Sequence, residues 1–357
     1  MHSTRFAHRV IRHIKPKTLQ NIVNNTTPGT AFGFRRFSAG KVANMKFVQF
    51  TYSNNPNEIR VGYLDGNNVI DLNKAVPTLP RTLLEILRNK EMKQIFRLCE
   101  CVTDAAKLPV SSVNLKAPIT GMDKVLCIGL NYKDHCEEQN LTPPEVPMIF
   151  SKFASTVVGP SDSVRLRVDV TDVSPVIQSY DPWSNWGQLL SYKLQKVDWE
   201  VELVVVIGKP ASNVKAMNAF DYVFGYTVAQ DISARDWQKT KNGGQFLLGK
   251  SMDTFCPIGP CITTSDEITD PQKLEIKCSV NGVLKQSSCT DQLVHKIPDV
   301  IERLSSVMTL LPGDIILTGT PGGVGMYRSP PEYLKPGDLV ESTIQDIGTL
   351  VVKVEKF

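Results

Sequence analysis

Residues 198–208 read Asp-Trp-Glu-Val-Glu-Leu-Val-Val-Val-Ile-Gly, and no other stretch constrains the fold as much. On extended backbone alternate side chains share a face, so Asp198, Glu200 and Glu202 point one way and Val201, Leu203 and Val205 the other. The apolar continuation marks a buried strand. Two aligned carboxylates leading into such a strand repel each other unless a cation sits between them. Their oxygens suit hard ions such as Mg²⁺, Mn²⁺ or Ca²⁺. The alternative is an edge strand that carries its acids on a solvated face.

The rest of the chain reads as more of the same sheet. KVLCIGL, VFGYTVAQD, EIKCSV, DIILTGT and LVESTI are short apolar strands punctuated by Gly and Pro. Helical spacing is confined to 81–106, 132–140, 214–221, 233–241 and 296–308. Runs of strands with scattered helices predict an α+β fold, not a doubly wound parallel sheet. KFVQFTY, IRVGYL and NVIDL, with Asp65-Gly66 as a hairpin turn, predict strands over 46–72. LPVSSVNLKAP (108–118) reads as a linker. A small N-terminal α/β domain over 46–118 and a larger domain over 119–357 follow.

Charge matters through its asymmetry. The formal net charge is +4, yet residues 1–46 hold nine of the 40 Lys and Arg and no acid; the first carboxylate is Glu58. The other 31 basic residues face all 36 acids, a net of −5. A basic, acid-free leader bearing Ser, Thr and Asn is the signature of a mitochondrial presequence, here residues 1–45. Arg5, Arg9 and Arg12, with Phe6, Val10 and Ile14 between them, suit an amphipathic import helix, and Arg36-Phe37-Ser38 a processing site. The alternative, a nucleic-acid-binding tail, is opposed by sparse aromatics and an acidic body, so no nucleic-acid partner is expected. No apolar run approaches the roughly 18–20 residues of a bilayer span, so no membrane partner is expected. Eight Cys without a C-x-x-C pair read as reduced thiols. Only His135 and His295 lie outside the leader, so any metal site must be built on oxygen.

Four further segments carry candidate chemistry. Asp231 ends the VFGYTVAQ strand, where a third ligand or a helix N-cap would sit. Arg235 and Gln238 fall on one face if 233–241 is helical; an Arg there suits a substrate carboxylate, and a surface ion pair is the alternative. His135 and Glu138 are i, i+3, so a helix would let the carboxylate orient the imidazole as a general base, although helical ion pairs of this kind are common. Lys250 sits among apolar residues, as a paired structural lysine or as an electrophilic or proton-handling group. LTGTPGGVG (317–325) lacks the Gly-Lys-Ser/Thr of a P-loop but can bring backbone N–H groups to an anion.

Taken in order, these segments resemble the fumarylacetoacetate hydrolase family: G-x-N-Y-x-x-H-x-x-E (129–138), D-W-E-V-E (198–202), D-x-S-A-R-D-x-Q (231–238), G-K-S-x-D-T-x-C-P-x-G-P (249–260) and T-G-T-P-x-G-V-G (318–325). The resemblance covers about 119–357. It implies a mixed β-sandwich roll, a homodimer, and one Mg²⁺ ion, with Mn²⁺ or Ca²⁺ as substitutes, held by Glu200, Glu202 and Asp231. It places His135 and Glu138 on a lid helix, and Arg235, Gln238, Lys250 and Thr320 against the substrate's oxygens, with His135, Glu138 and Lys250 as the catalytic set. Family substrates are 2-keto acids and 1,3-dicarbonyl compounds. The activities are acylpyruvate hydrolysis, oxaloacetate decarboxylation and keto–enol tautomerisation. MKFVQF and IFSKFAS look most like a mitochondrial branch, which implies oxaloacetate tautomerase. Two departures stand out. Gly322 replaces the Pro of the usual T-P-P-G loop, which loosens backbone without removing a functional group. Residues 161–196, with Trp183 and Trp186, form an insertion that reads as a peripheral loop, an extra exon or a gene-model artefact. A partner-binding insert, or a non-catalytic member that binds a dicarboxylate, is the alternative.

Overall fold

Val201–Ile207 lies inside a sheet, not at its edge. It pairs antiparallel with Val223–Gln230 on one side and with Ile315–Leu317 on the other. The computed structural model describes residues 45–89, 106–167 and 196–357. Among the described residues the strand belongs to a twelve-stranded mixed sheet. Ile315–Leu317 runs parallel to Val125–Gly129, which pairs in turn with the edge strand Met148–Lys152. On the other flank, Val223–Gln230 leads through Cys256–Thr264 to Lys46–Tyr52, in the register Phe47↔Ile262. Strands from before residue 118 and after residue 119 therefore share one hydrogen-bonded ladder.

A second sheet runs in the order Val283–Cys289, Glu275–Val280, Leu339–Ile344, Gly348–Lys356, Val164–Leu166. Val201, Leu203, Val205 and Ile207 pack into a core with Ile276, Val340 and Val352 of that sheet. Val204 and Val206 enter a different core, with Phe47, Leu83 and Ile262. Both faces of the strand are covered, which is why its sequence is a continuous apolar run instead of an alternation. The resulting architecture is the expected α+β fold, two sheets facing each other with few helices.

The structure corrects several local expectations. The solvated-edge reading of the acids fails, since Glu200 and Glu202 are 5% and 2% exposed. Asp198 does not continue their row: Val197–Asp198 pairs separately with Ser233–Ala234, and Trp199 and Glu200 separate this short strand from the central one. The supposed linker carries two strands, Lys107–Pro109 against Asn68–Asp71 and Val113–Lys116 against Lys46–Tyr52. Their residues are mostly half-buried or exposed, so the apolar alternation was too weak to see. Residues 233–241 are helical as expected only from Arg235 on: they open as a two-residue strand, Ser233–Ala234, and end in a π-helical turn, Trp237–Lys241. Val164–Leu166, inside the expected insertion, is a strand parallel to Gly348–Lys356.

Helices form at Leu83–Arg88, where the Thr82 hydroxyl accepts the Glu85 N–H, at Lys133–Glu138 and at Ile297–Val307. Among the described residues no helix is long and apolar enough to cross a membrane, and the described cysteines are free. The leader up to residue 44, the helical spacing at Met92, Ile95 and Phe96, Cys99, Cys101, and the Trp-bearing segment 168–195 lie outside the described residues.

Leu203 is fully buried where the two sheets meet. Leu203→Ala should cost about 2–5 kcal/mol through lost transfer energy and a residual cavity. A urea-unfolding midpoint within error of wild type would show that this strand is not central to the core.

Candidate active site

The sheet brings Glu200, Glu202 and Asp231 together. One oxygen from each lies within 4.8 Å of the others, and all three residues are buried. Glu200 and Glu202 arrive by the period-2 geometry of the strand entry. Asp231 arrives because its strand partners theirs: its N–H donates to the Glu200 carbonyl at 2.8 Å. The helix-cap alternative for Asp231 fails, since the next two residues lead into a strand.

Cations surround this triad. Lys250 Nζ donates to Glu200 Oε2 at 2.7 Å and to Asp231 Oδ2 at 2.6 Å, and lies 5.1 Å from the Phe150 ring centroid. Arg235 Nη1 contacts Glu200 Oε1 at 2.6 Å and donates to Gln238 Oε1 at 3.0 Å. Lys152, which sequence reasoning missed, pairs with Asp231 and donates to the Ile232 carbonyl at 3.1 Å. Burial opposes the Lys250 ammonium, but the carboxylates of Asp231 and Glu200 outweigh it and hold its pKa above the usual lysine value. Burial likewise opposes ionised Glu200, and Lys250 and Arg235 outweigh it, so this carboxyl titrates well below its usual range.

Glu202 is the exception. Gly319 N–H donates to its Oε2 at 2.7 Å, but burial first, and then the charges of Asp231 and Glu200, push its pKa well above the usual carboxylate range. Three aligned acids with one left uncompensated fit a hard divalent cation, which would supply the missing positive charge.

A cavity of about 150 Å³ opens above the triad. Of the nine residues singled out in the sequence, Asp231 and Glu138 lie just behind its wall and the other seven line it. His135, 7% exposed, faces Glu138 Oε1 through Nδ1 at 2.6 Å and the Gln139 amide through Nε2 at 2.9 Å. This network places the proton on Nδ1 and the lone pair on Nε2. Thr320 lines the cavity, but its hydroxyl donates to the Val201 carbonyl and accepts from Gln286. Gln139, Tyr327 and Lys239, absent from the sequence-based set, also line it.

The glycine loop binds anions, and they belong to the protein itself. Gly319 N–H meets Glu202, Gly323 N–H meets Glu138 Oε2 at 2.7 Å, and Gly325 N–H meets Asp198 Oδ1 at 2.7 Å. Asp198 also accepts from the Met326 and Trp199 N–H groups and from Arg235 Nε at 2.8 Å. It therefore orients Arg235 and takes no part in the triad.

Fold and site together define an enzyme-like centre: a carboxylate cation site at the bottom of a cavity, with a His–Glu pair on a short helix above it. The family described as Fumarylacetoacetate (FAA) hydrolase C-terminal matches residues 124–355, and the chain belongs to the fumarylacetoacetate hydrolase family. It is similar to the oxaloacetate tautomerase FAHD2B, mitochondrial, of Bos taurus, 48% identical over 290 residues, which cover 81% of this chain and 85% of that one. The FAHD2A protein of Homo sapiens, also named a mitochondrial oxaloacetate tautomerase, is 46% identical with the same coverage. Among solved structures, an HpcE-like protein from Mycobacterium smegmatis superposes with a TM-score of 0.71 at 32% identity, covering 86% of this chain and 99% of that one. A maleylpyruvate hydrolase from Sphingobium sp. SYK-6, in complex with manganese (II) and pyruvate, superposes with a TM-score of 0.66 at 28% identity, covering 87% and 99%.

Because Glu202 holds its proton to higher pH when folded than when unfolded, the metal-free protein should lose stability as pH rises above the ordinary glutamate value of 4.5. Glu202→Gln should flatten that decline in thermal melts from pH 5 to 8. Mg²⁺ binding at pH 7 should release a proton from wild type, read by calorimetry in two buffers of different ionisation enthalpy. Equal heats in both buffers would refute the assignment of Glu202.

Proposed function

We propose that this protein is a mitochondrial, Mg²⁺-dependent oxaloacetate tautomerase that converts the enol to the keto form of a 2-keto dicarboxylic acid. The carrying observation is the convergence of the acidic triad, Arg235, Lys250 and the His135–Glu138 pair on one cavity. The names and identities of the mitochondrial relatives support the same reading. Mg²⁺ is the proposed ion, held by Glu200, Glu202 and Asp231; it would polarise the 2-oxo group as a Lewis acid.

The chain's own residues do the rest. Arg235, fixed by Asp198, binds and orients the carboxylate beside the 2-oxo group, and Gln238 holds Arg235 from its other side. Lys250, a buried ammonium, stabilises negative charge on the substrate oxygen. His135 Nε2, once Gln139 yields it, takes the enol hydroxyl proton and delivers it to C3, and Glu138 stabilises the imidazolium that exists between the two transfers. Tautomerisation breaks no C–C bond and needs no activated water, so this set suffices. Hydrolysis of acylpyruvates is the second reading, favoured by the maleylpyruvate hydrolase neighbour; it would need the same His–Glu pair to activate water.

In this reading residues 119–357 carry the catalytic domain, residues 46–118 are accessory to it, and two copies form a homodimer, which light scattering would check. Residues 1–45 direct import, so a reporter fused to them should enter mitochondria and lose the leader near residues 37–44. A cytosolic reporter would refute that localisation.

Purified protein with Mg²⁺ should convert enol-oxaloacetate much faster than it cleaves acylpyruvates. His135→Ala should slow the conversion on the order of 10²–10⁴-fold, because it removes the proton carrier, and Lys250→Ala should slow it through loss of the positive charge that stabilises the substrate oxygen. Faster acylpyruvate cleavage would make it a hydrolase. Enol decay no faster than in buffer with Mg²⁺ would make it a non-catalytic binder.

A further inference from the structure

The buried charges at the bottom of the cavity suit only one end of a diacid. Asp198, Glu200, Glu202 and Asp231 contribute four negative charges, and Lys152, Arg235 and Lys250 three positive ones. With a divalent cation bound, which would hold Glu202 ionised, the sum is +1, which balances one carboxylate. Each of the three buried cations is already committed to carboxylates of the protein.

Lys239 differs from all three. It follows Gln238 in the π-helical turn, lines the same cavity, and is exposed at the cavity's mouth. Among the described residues it has no carboxylate partner; its Nζ lies 3.5 Å from the Tyr327 hydroxyl. The Tyr327 ring packs edge-on against His135, with centroids 6.2 Å apart. From bottom to mouth the wall thus offers the triad with Arg235 and Lys250, then His135, then Tyr327 with Lys239. π-Helical turns are frequent at functional sites, and this one presents Gln238 inward while leaving Lys239 at the rim.

We propose that Lys239 and the Tyr327 hydroxyl form the subsite for the second carboxylate of a dicarboxylic 2-oxo acid, and so set the preference for diacids over monoacids. The proposal rests on the 2-oxo-acid reading given above. The order of groups along the wall matches the order of atoms in a four-carbon 2-oxo diacid: carboxylate and oxo group, then C3, then the second carboxylate. Because Lys239 is exposed, solvent and salt screen its charge, and its contribution is several-fold, not hundred-fold.

The test is calorimetric binding of two stable probes to the Mg²⁺-bound protein: oxalate, which has no distal arm, and malate, which carries a distal carboxylate. Lys239→Met should weaken malate about three- to tenfold at low salt and leave oxalate unchanged, and Lys239→Arg should restore malate. Unchanged malate affinity in Lys239→Met, or equal losses for both acids, overturns the subsite. A wild-type protein that binds neither acid overturns the 2-oxo-acid reading and the subsite with it.

Discussion

Seven ionisable residues, none more than 5% exposed, meet where the central strand begins: Asp198, Glu200, Glu202 and Asp231 with Lys152, Arg235 and Lys250. Charges removed from water cost several kcal/mol each unless they are paired with good geometry. The fold answers that cost by bringing the seven from six segments into contact. Lys152 comes from the edge strand, Asp198 from the short strand Val197–Asp198, the Glu pair from the central strand entry, Asp231 from just past the neighbouring strand, Arg235 from between Ser233–Ala234 and the π-helical turn, and Lys250 from the short helix Leu247–Lys250. Losing Asp231 would leave Lys152 buried without a carboxylate, so the site and the sheet are stabilised by the same contacts.

Much of this was legible in the sequence wherever a single local rule decided the outcome. Period-2 geometry placed Glu200 and Glu202 together, and i, i+3 spacing placed His135 against Glu138. Sequence reasoning failed where long-range pairing overrode local pattern. Asp198 has the same parity as Glu200 and Glu202, but a separate two-residue ladder with Ser233–Ala234 takes it out of their row. Lys152 follows an apolar strand, where a lysine usually marks the solvated end; only the pairing with Asp231, 79 residues away, makes it internal. The strands in 107–116 were hidden because their side chains are too exposed to alternate clearly.

The two cores explain why the site is precise. The odd and even residues of the central strand are clamped by different sets of side chains, so the strand cannot slide or rotate without disturbing both. Its first carboxylates inherit that rigidity. The His–Glu pair sits outside the sheets, on a six-residue helix that the glycine loop meets through backbone N–H groups. A cation site set in the sheet beneath a proton carrier on a separate helix suits a reaction in which substrate must enter and leave between the two.

The glycine loop ties those parts together at fixed intervals. Positions 319, 323 and 325 each give an N–H to a carboxylate on a different element. A Cβ at Gly323 would sit 2.2 Å from the Lys285 carbonyl oxygen, on backbone with φ +99°, and one at Gly325 would sit 2.1 Å from that of Glu332. Spacing and residue type are thus both locked. An insertion or deletion of one codon within this loop would misregister three acids at once, whereas the surface hairpins can absorb such changes. Over evolutionary drift the loop should behave as a ruler, holding its length while the sequence around it diverges.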